Sequence, residues 1–375
     1  MTVDFNRPAI AGNELDYIRQ AVANAHTAGD GSFTRRCHAW LEARLEAPKA
    51  LLTHSCTAGL EMAALLFDLG PGDEVIMPSF TFVSTANAVV LRGATPVFVD
   101  IRPDTLNLDE RLIEGAITPR TKAIFVVHYA GIACAMDWIM DIAERHGLLV
   151  AEDAAQGLMS RYCGRPLGSI GHLAAISFHE TKNVISGEGG ALIVNDSRFS
   201  QRAEIIREKG TNRSSFFRGE VEKYTWVDIG SSYLPSDLVA AFLLAQLEHA
   251  DRLLEERRTL WNRYHAGFAA LEGRGRCRRP IVPGECEHNA HLYYLLLPDG
   301  ATRDALIAQL RADGIHAPFH YVPLHNSPGG TRFGRPSGAL RHTEDVAKRL
   351  VRLPLWYGMT DEPEQVVQAV RTIVE

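Results

Sequence analysis

The chain lacks any apolar run near the roughly 18 residues that a membrane-spanning helix needs. Its start, Met1-Thr2-Val3-Asp4-Phe5-Asn6-Arg7, has no basic segment followed by an apolar stretch, so neither a membrane span nor a signal peptide is expected. A cytoplasmic protein is the expectation. Cysteine is sparse and scattered. Cys37, Cys56, Cys134, Cys163, Cys277 and Cys286 form no CxxC pair, which argues against a disulfide framework or a zinc site, and no metal is expected. Excess positive charge is missing too, since 39 Lys and Arg face 45 Asp and Glu for a net charge of −6. That balance gives no electrostatic case for nucleic acid or anionic membranes. The one dense basic group, Arg274, Arg276, Arg278 and Arg279, reads as a solvated turn. Internal repeats and low-complexity tracts are absent.

What remains is an ordinary globular composition, 46% hydrophobic and 22% charged over 375 residues. That length exceeds one compact core and suits two unequal domains, expected at 1–250 and 251–375. From about residue 50 to 195, short Val-, Ile- and Ala-rich runs alternate with helical periodicity. Strands are predicted at Lys49–Thr53, Glu74–Met77, Thr95–Val99, Ala123–Val127, Leu148–Glu152, Ala174–Ser177 and Ala191–Val194. Helices are predicted at Thr57–Asp68, Thr81–Arg92, Asp109–Ala116 and Asp137–His146, with Thr57 and Asp109 as caps. The pattern implies an α/β fold with a mainly parallel sheet covered on both faces. Arg198–Lys209 reads as a helix, and Pro235 to about Leu271 as one or two longer ones. Thr211–Tyr233, polar and aromatic, reads as a substrate-covering loop. After Gly273 the composition turns to Arg, Gly and Pro, and a smaller α+β part is expected around Tyr293–Leu297, Arg303–Arg311 and Pro318–Tyr321.

Two segments carry chemistry. Ser177-Phe178-His179-Glu180-Thr181-Lys182-Asn183 is followed by Gly187-Glu188-Gly189-Gly190, and Leu148–Glu152 is an apolar strand that runs into Asp153 and Gln156. In this order they supply an amine able to bond an aldehyde and a carboxylate able to keep a pyridine nitrogen protonated, the two groups that pyridoxal 5'-phosphate needs. Lys182 is the amine and Asp153 the carboxylate; the competing reading is that Asp153 or Glu152 only caps the next helix. Gln156 lies about one helical turn from Asp153 and reaches the same side. Ser55-Cys56-Thr57-Ala58-Gly59 joins a strand to a helix start, where exposed N–H groups and the helix dipole favour a phosphate. Ser177 adds a hydroxyl. Phe82, after the strand ending near Pro78, is the candidate for stacking on the ring; the alternative for such an aromatic is core packing.

These motifs resemble the DegT/DnrJ/StrS sugar aminotransferase family almost from end to end. The carriers are GDGSFT from Gly29, PGDEVIMPSFTFVSTANAV from Pro71, VHYAG from Val127, EDAAQ from Glu152, SFHETKN from Ser177, HYVPLH from His320 and LPLWYGMT from Leu353. The resemblance implies fold type I, the aspartate aminotransferase architecture, with pyridoxal 5'-phosphate as cofactor and an active site at the interface of a homodimer or larger assembly. It implies Lys182 as the Schiff-base lysine, Asp153 as the pyridine partner, Gln156 beside it, and Thr57, Ala58 and Ser177 as phosphate ligands, with Phe82 in the stacking position. REKGTNRS from Arg207, FFRG from Phe216 and KYTWVDIGSSYLPSD from Lys223 resemble a subgroup whose amino donor is L-glutamate. The acceptor in that subgroup is C4 of dTDP-4-dehydro-6-deoxy-D-glucose, for enterobacterial common antigen or other surface polysaccharide. Arg213, Arg218 and Lys223 are then candidates for the diphosphate, and His320 and His325 for the sugar. Tyr233, flanked here by Ser232 and Leu234, departs from the asparagine and arginine that many relatives place beside it in a loop reaching the neighbouring subunit. A 3-amino or gluco-configured product, or a non-catalytic regulatory relative, are the alternatives. Lys182 argues against relatives that deoxygenate the sugar, which carry histidine there.

Overall fold

Seven of the apolar runs lie side by side in one sheet. The computed structural model describes residues 2–375. Its strands are β1 (Lys49–Thr53), β2 (Glu74–Pro78), β3 (Thr95–Val99), β4 (Thr121–Val127), β5 (Leu149–Asp153), β6 (Leu173–Ser177) and β7 (Gly190–Val194). Later in the chain come β8 (Tyr293–Leu296), β9 (Arg335–Pro336) and β10 (Leu350–Leu353). The eight-stranded sheet runs β1-β7-β6-β5-β4-β2-β3-β9, and β8 pairs with β10 in a separate two-stranded sheet. Only β7 runs antiparallel to its neighbours in the large sheet; the other pairs are parallel.

Alternation along each strand divides the core. Val75, Met77, Phe98, Phe125 and Ala151 pack on one face, with helix α1 (Cys56–Leu66), while Ile76, Val97, Val99, Ile124, Val126 and Val150 pack on the other. That second face is covered by Met136, Ile139, Ile142 and Ala143 of the helix Met136–His146. The same alternation sends Glu152 and Asp153 to opposite faces. A further cluster joins Trp261, Tyr264, Tyr293, Leu295, Leu306, Val351, Val366 and Val370, and the amino-terminal Val3 belongs to it.

Three expectations are corrected. Pro235–Leu271 is three helices, Asp237–Leu247, Ala250–Gly267 and Ala269–Gly273. Pro318–Tyr321 is not a strand: it accepts one bond from the Arg352 N–H at 2.8 Å, while its side chains turn toward the sheet edge described below. Thr57 does not cap α1. Ser55 does, accepting from the Ala58 N–H at 3.1 Å. Asp109 does cap, starting a short 3₁₀ turn by accepting from Arg111. Among the described residues no helix is long and apolar enough to cross a membrane, and no cluster of His, Cys, Asp and Glu could hold a metal.

Edge strand β9 is held by charge. Arg335 donates to both oxygens of Glu74 at 3.1 and 2.8 Å, and Arg120 (2.6 Å) and Thr118 (2.8 Å) complete the shell of a carboxylate that is 2% exposed. The Arg335 bonds, reinforced by Thr118 and Arg120, hold its pKa at about 2, below the ordinary 4.5. A depressed carboxyl stabilises the fold above its unfolded pKa and loses that contribution as pH falls toward its folded one. Glu74→Gln is therefore expected to cost about 3 kcal/mol at neutral pH. In urea titrations the gap to wild type should narrow between pH 4.5 and about 2; a gap independent of pH would contradict this.

Candidate active site

The parallel strands β2, β4, β5 and β6 finish at one edge of the sheet, where β1 also ends and α1 begins, the usual place for a ligand in such a sheet. A cavity of about 590 Å³ opens there. Ser55, Thr57, Phe82, Asp153, Gln156, Ser177 and Lys182 line one side, and His291, His320, Tyr321 and Arg352 face them. Phe5 and Asn6 reach its rim from the amino-terminal segment.

Asp153 ends β5 on the α1 side and is 5% exposed. Its Oδ2 accepts from Thr85 Oγ1 at 2.7 Å, a residue of helix α2 (Val83–Val90), and its Oδ1 accepts from the Ala155 N–H at 3.2 Å. Burial pushes its pKa up, opposed by those two donors and by the Lys182 charge. Glu152, on the other face, is wholly buried and closes the Gly168–Gly171 turn, accepting from three N–H groups at 2.6–2.9 Å and meeting His128 Nε2 at 2.9 Å. The Cys134 N–H donated to His128 Nδ1 makes Nε2 the protonated nitrogen. Neither acid caps a helix; only Asp153 faces the cavity.

Lys182 stands half-buried at the cavity wall, with no hydrogen bond or ion pair to its Nζ among the described residues. Desolvation lowers its pKa below the ordinary 10.5, with Cys56 and Asp153 opposing and Arg352 adding to the fall. A larger share of free amine is the chemical result. Gln156 is fixed at both ends, Oε1 accepting from the Ala130 N–H at 2.7 Å and Nε2 donating to Tyr321 Oη at 3.1 Å. Thr57 Oγ1 meets Ser84 Oγ at 2.8 Å, and Ser177 closes β6 beside them. Phe82, 58% exposed, offers an uncovered ring face.

Ala58 lies one residue deeper in α1, buried, and its N–H is already taken by Ser55. His320 lines the cavity and bonds Tyr129 Oη through Nδ1 at 3.0 Å; burial, then Arg352 and Lys182, hold its pKa well below the usual range. His325 instead ties Ser79 (2.7 Å) to Glu344 (3.3 Å) away from the cavity lining. Arg213, Arg218 and Lys223 also lie outside it. Arg213 sits over Phe217, and Arg218 pairs with Glu204 and Glu220. Sequence reasoning missed Thr85, His291, Tyr321 and Arg352. Thr85 was reachable, three residues past Phe82 on the predicted helix, and Tyr321 lies inside the HYVPLH segment; His291 and Arg352 come from the far end of the chain without such a signal.

The match to known proteins covers the whole fold. The family model of the DegT/DnrJ/EryC1/StrS aminotransferases matches residues 8–371. The spore coat polysaccharide biosynthesis protein SpsC of Bacillus subtilis is 34% identical over 99% of this chain and 97% of its own. GDP-perosamine synthase of Caulobacter vibrioides is 33% identical over 98% of this chain and 97% of its own. The crystal structure of DesV from S. venezuelae superposes with a TM-score of 0.90 at 32% identity, covering 100% of this chain and 99% of that one. Aminotransferases of this family depend on pyridoxal 5'-phosphate. The chain belongs to the DegT/DnrJ/EryC1/StrS aminotransferase family, whose members include sugar aminotransferases.

Proposed function

We propose that this enzyme moves the amino group of L-glutamate to C4 of dTDP-4-dehydro-6-deoxy-D-glucose, giving dTDP-4-amino-4,6-dideoxy-D-galactose for surface polysaccharide. The observation that carries the aminotransferase reading is one cavity wall bearing Lys182, Asp153, Gln156, Ser177, Thr57 and Phe82. The choice of sugar rests on the REKGTNRS, FFRG and KYTWVDIGSSYLPSD segments. SpsC, named for polysaccharide biosynthesis, agrees with the pathway class, and GDP-perosamine synthase makes a GDP-linked acceptor the rival.

The residues present fit the cofactor. Ser55 satisfies only one first-turn N–H of α1, and the Cys56 and Thr57 N–H groups donate to nothing else among the described residues, which leaves an anion site beside the Thr57 and Ser177 hydroxyls. Gly190 of β7 is what lets that helix start lie so close, because a Cβ there would overlap the Cys56 backbone nitrogen. Buried Asp153 is short of donors, and a pyridinium N–H supplies one.

When bound, pyridoxal phosphate supplies an aldehyde for amine exchange and a cationic ring that withdraws electrons from the reacting carbon. Asp153, aimed by Thr85, would keep the ring nitrogen protonated. The α1 amides with Thr57 and Ser177 would hold the phosphate, with Phe82 and Gln156 available to the ring. Lys182 Nζ takes the proton from the donor's α-carbon and returns it on the far side of the exchange. Its lowered pKa leaves it able to accept that proton. In the second half the keto-sugar enters and Lys182 works in reverse. The nucleotide and diphosphate bind away from the reacting carbon and set its orientation. Residues 1–250 then form the cofactor domain and 251–375 the smaller one that faces it. Arg213, Arg218 and Lys223 serve the diphosphate at the cavity of a second copy, since their segment presents exposed Phe217, Tyr224 and Trp226 that a partner would cover.

Lys182→Ala is expected to lose at least about a thousandfold in turnover with unchanged circular dichroism; normal turnover would refute the assigned role. Gly190→Ala is expected to weaken pyridoxal phosphate binding at least about tenfold by moving the α1 start, read by equilibrium dialysis against unchanged secondary structure. Product NMR after incubation with L-glutamate and dTDP-4-dehydro-6-deoxy-D-glucose should show an axial C4 amine. An equatorial amine, or turnover confined to a GDP-linked sugar, would overturn the assignment.

A further inference from the structure

Arg257 and two asparagines fix His291 in one setting on the cavity wall. Arg257, buried, donates from Nη2 to the His291 carbonyl at 2.6 Å and from Nε to the Ala290 carbonyl at 3.2 Å. The His291 N–H donates to Asn289 Oδ1 at 3.0 Å. Ala290, between the two, holds a φ of 51°, a strained setting for a residue with a side chain that these bonds maintain. The ring is fixed as well. Asn183 Nδ2 donates to the Asn289 carbonyl at 2.7 Å, which turns the acceptor Asn183 Oδ1 toward His291 Nδ1 at 3.1 Å. Nδ1 therefore carries the hydrogen, and burial, then the Lys182 and Arg257 charges, keep the ring neutral with a pKa well below the usual range. What is left is a lone pair on Nε2. That atom has no partner among the described residues and is not sealed from solvent, and His291 lines the cavity. The imidazole is thus bonded to the residue that directly follows Lys182.

Resting on the sugar aminotransferase reading above, we infer that His291 Nε2 accepts a hydrogen bond from the hydroxyl at C3 of the keto-sugar. A neutral acceptor distinguishes the two substrates by their chemistry alone. L-Glutamate brings two carboxylates, and its one donor, the amine, is the group that reacts. 2-Oxoglutarate brings acceptors only, from which a lone pair gains nothing. The sugar brings hydroxyls. With C4 beside Lys182, its ring neighbours are C5, which carries the methyl group, and C3, which carries a hydroxyl. C3 therefore offers the donor nearest the reacting carbon. A ring held neutral in this way is a poor base, so His291 reads the sugar while Lys182 moves the proton.

The test sets two variants against two sugars in the pyridoxamine-loaded holoenzyme. His291→Asn keeps a donor for Asn183 Oδ1 and loses the Nε2 lone pair. With dTDP-4-dehydro-6-deoxy-D-glucose, followed by the cofactor's visible spectrum, it should lower the ratio of limiting rate to half-saturating concentration about tenfold. Calorimetric affinity of the pyridoxal-loaded enzyme for the same sugar, which that form cannot aminate, should fall by a similar factor. On the analogue lacking the C3 hydroxyl, wild type and variant should agree within about threefold. His291→Gln, which returns an acceptor near the Nε2 position, should recover part of the loss on the hydroxylated sugar and change nothing on the deoxy one. The L-glutamate half should stay within about threefold in both variants, a pattern that a loosened fold would not give, since Lys182 serves both halves. A loss that persists on the deoxy sugar, an equal loss with glutamate, or no loss at all would overturn the inference. If wild type responds to glutamate but ignores this sugar, the substrate assignment fails, and a GDP-linked 4-keto sugar with its own C3 hydroxyl takes its place in the same comparison. No response of wild type to glutamate removes the aminotransferase reading, and this inference with it.

Discussion

Burying the Asp153 carboxylate to 5% exposure costs free energy that the Thr85 hydroxyl and one backbone N–H offset only in part. That shortfall organises the cavity around it. β5 delivers the acid to the sheet edge, α2 delivers the hydroxyl that aims it, and Gln156 is pinned one turn further on so that nothing of the protein's own occupies the space ahead of it. A cationic ring set there meets a partner already paid for in folding. The neighbouring acid has the opposite fate: Glu152 is saturated by three amides and His128, and serves to close a turn.

The two charged groups across the cavity are likewise left incomplete. Lys182 and Arg352 each lack a counter-ion among the described residues; Arg352 lowers the proton affinity of the Lys182 amine, and both lower that of His320. Each incomplete group in the site therefore has a complementary chemical type: an acid short of a donor, helix amides short of an anion, a guanidinium short of a counter-ion. Fully satisfied polar groups such as Asn289, which bridges the Gln156 and Leu158 carbonyls at 2.8 Å and accepts from Asn183 at its own carbonyl at 2.7 Å, form the rigid frame behind them.

The sheet was legible because each parallel strand is a short apolar run between helical periods, and the Asp153 and Lys182 sites because one ends such a strand and the other lies in the loop after the next. The alternation that separates Glu152 from Asp153 was also present in the sequence, and would have removed the capping alternative. Ser55 against Thr57 as cap was a choice between adjacent hydroxyls that only the backbone turn decides. Pro318–Tyr321 failed for a different reason. Its residues have strand-like composition, but His320 and Tyr321 are drawn to Tyr129 and Gln156, tertiary bonds that override pairing.

The amino-terminal residues are woven into this same chamber. Val3 exchanges backbone bonds with Gly314 and His316 at 2.8 and 3.0 Å, the Asp4 carbonyl accepts from Trp356 at 3.0 Å, and Asn6 donates to the Glu180 carbonyl at 3.3 Å, two residues before Lys182. A purification tag fused ahead of this segment would sit within a few residues of the chamber's mouth and tug on the chain that bears Phe5. The opposite terminus, following the helix Glu362–Val374, is the safer handle for immobilisation or labelling.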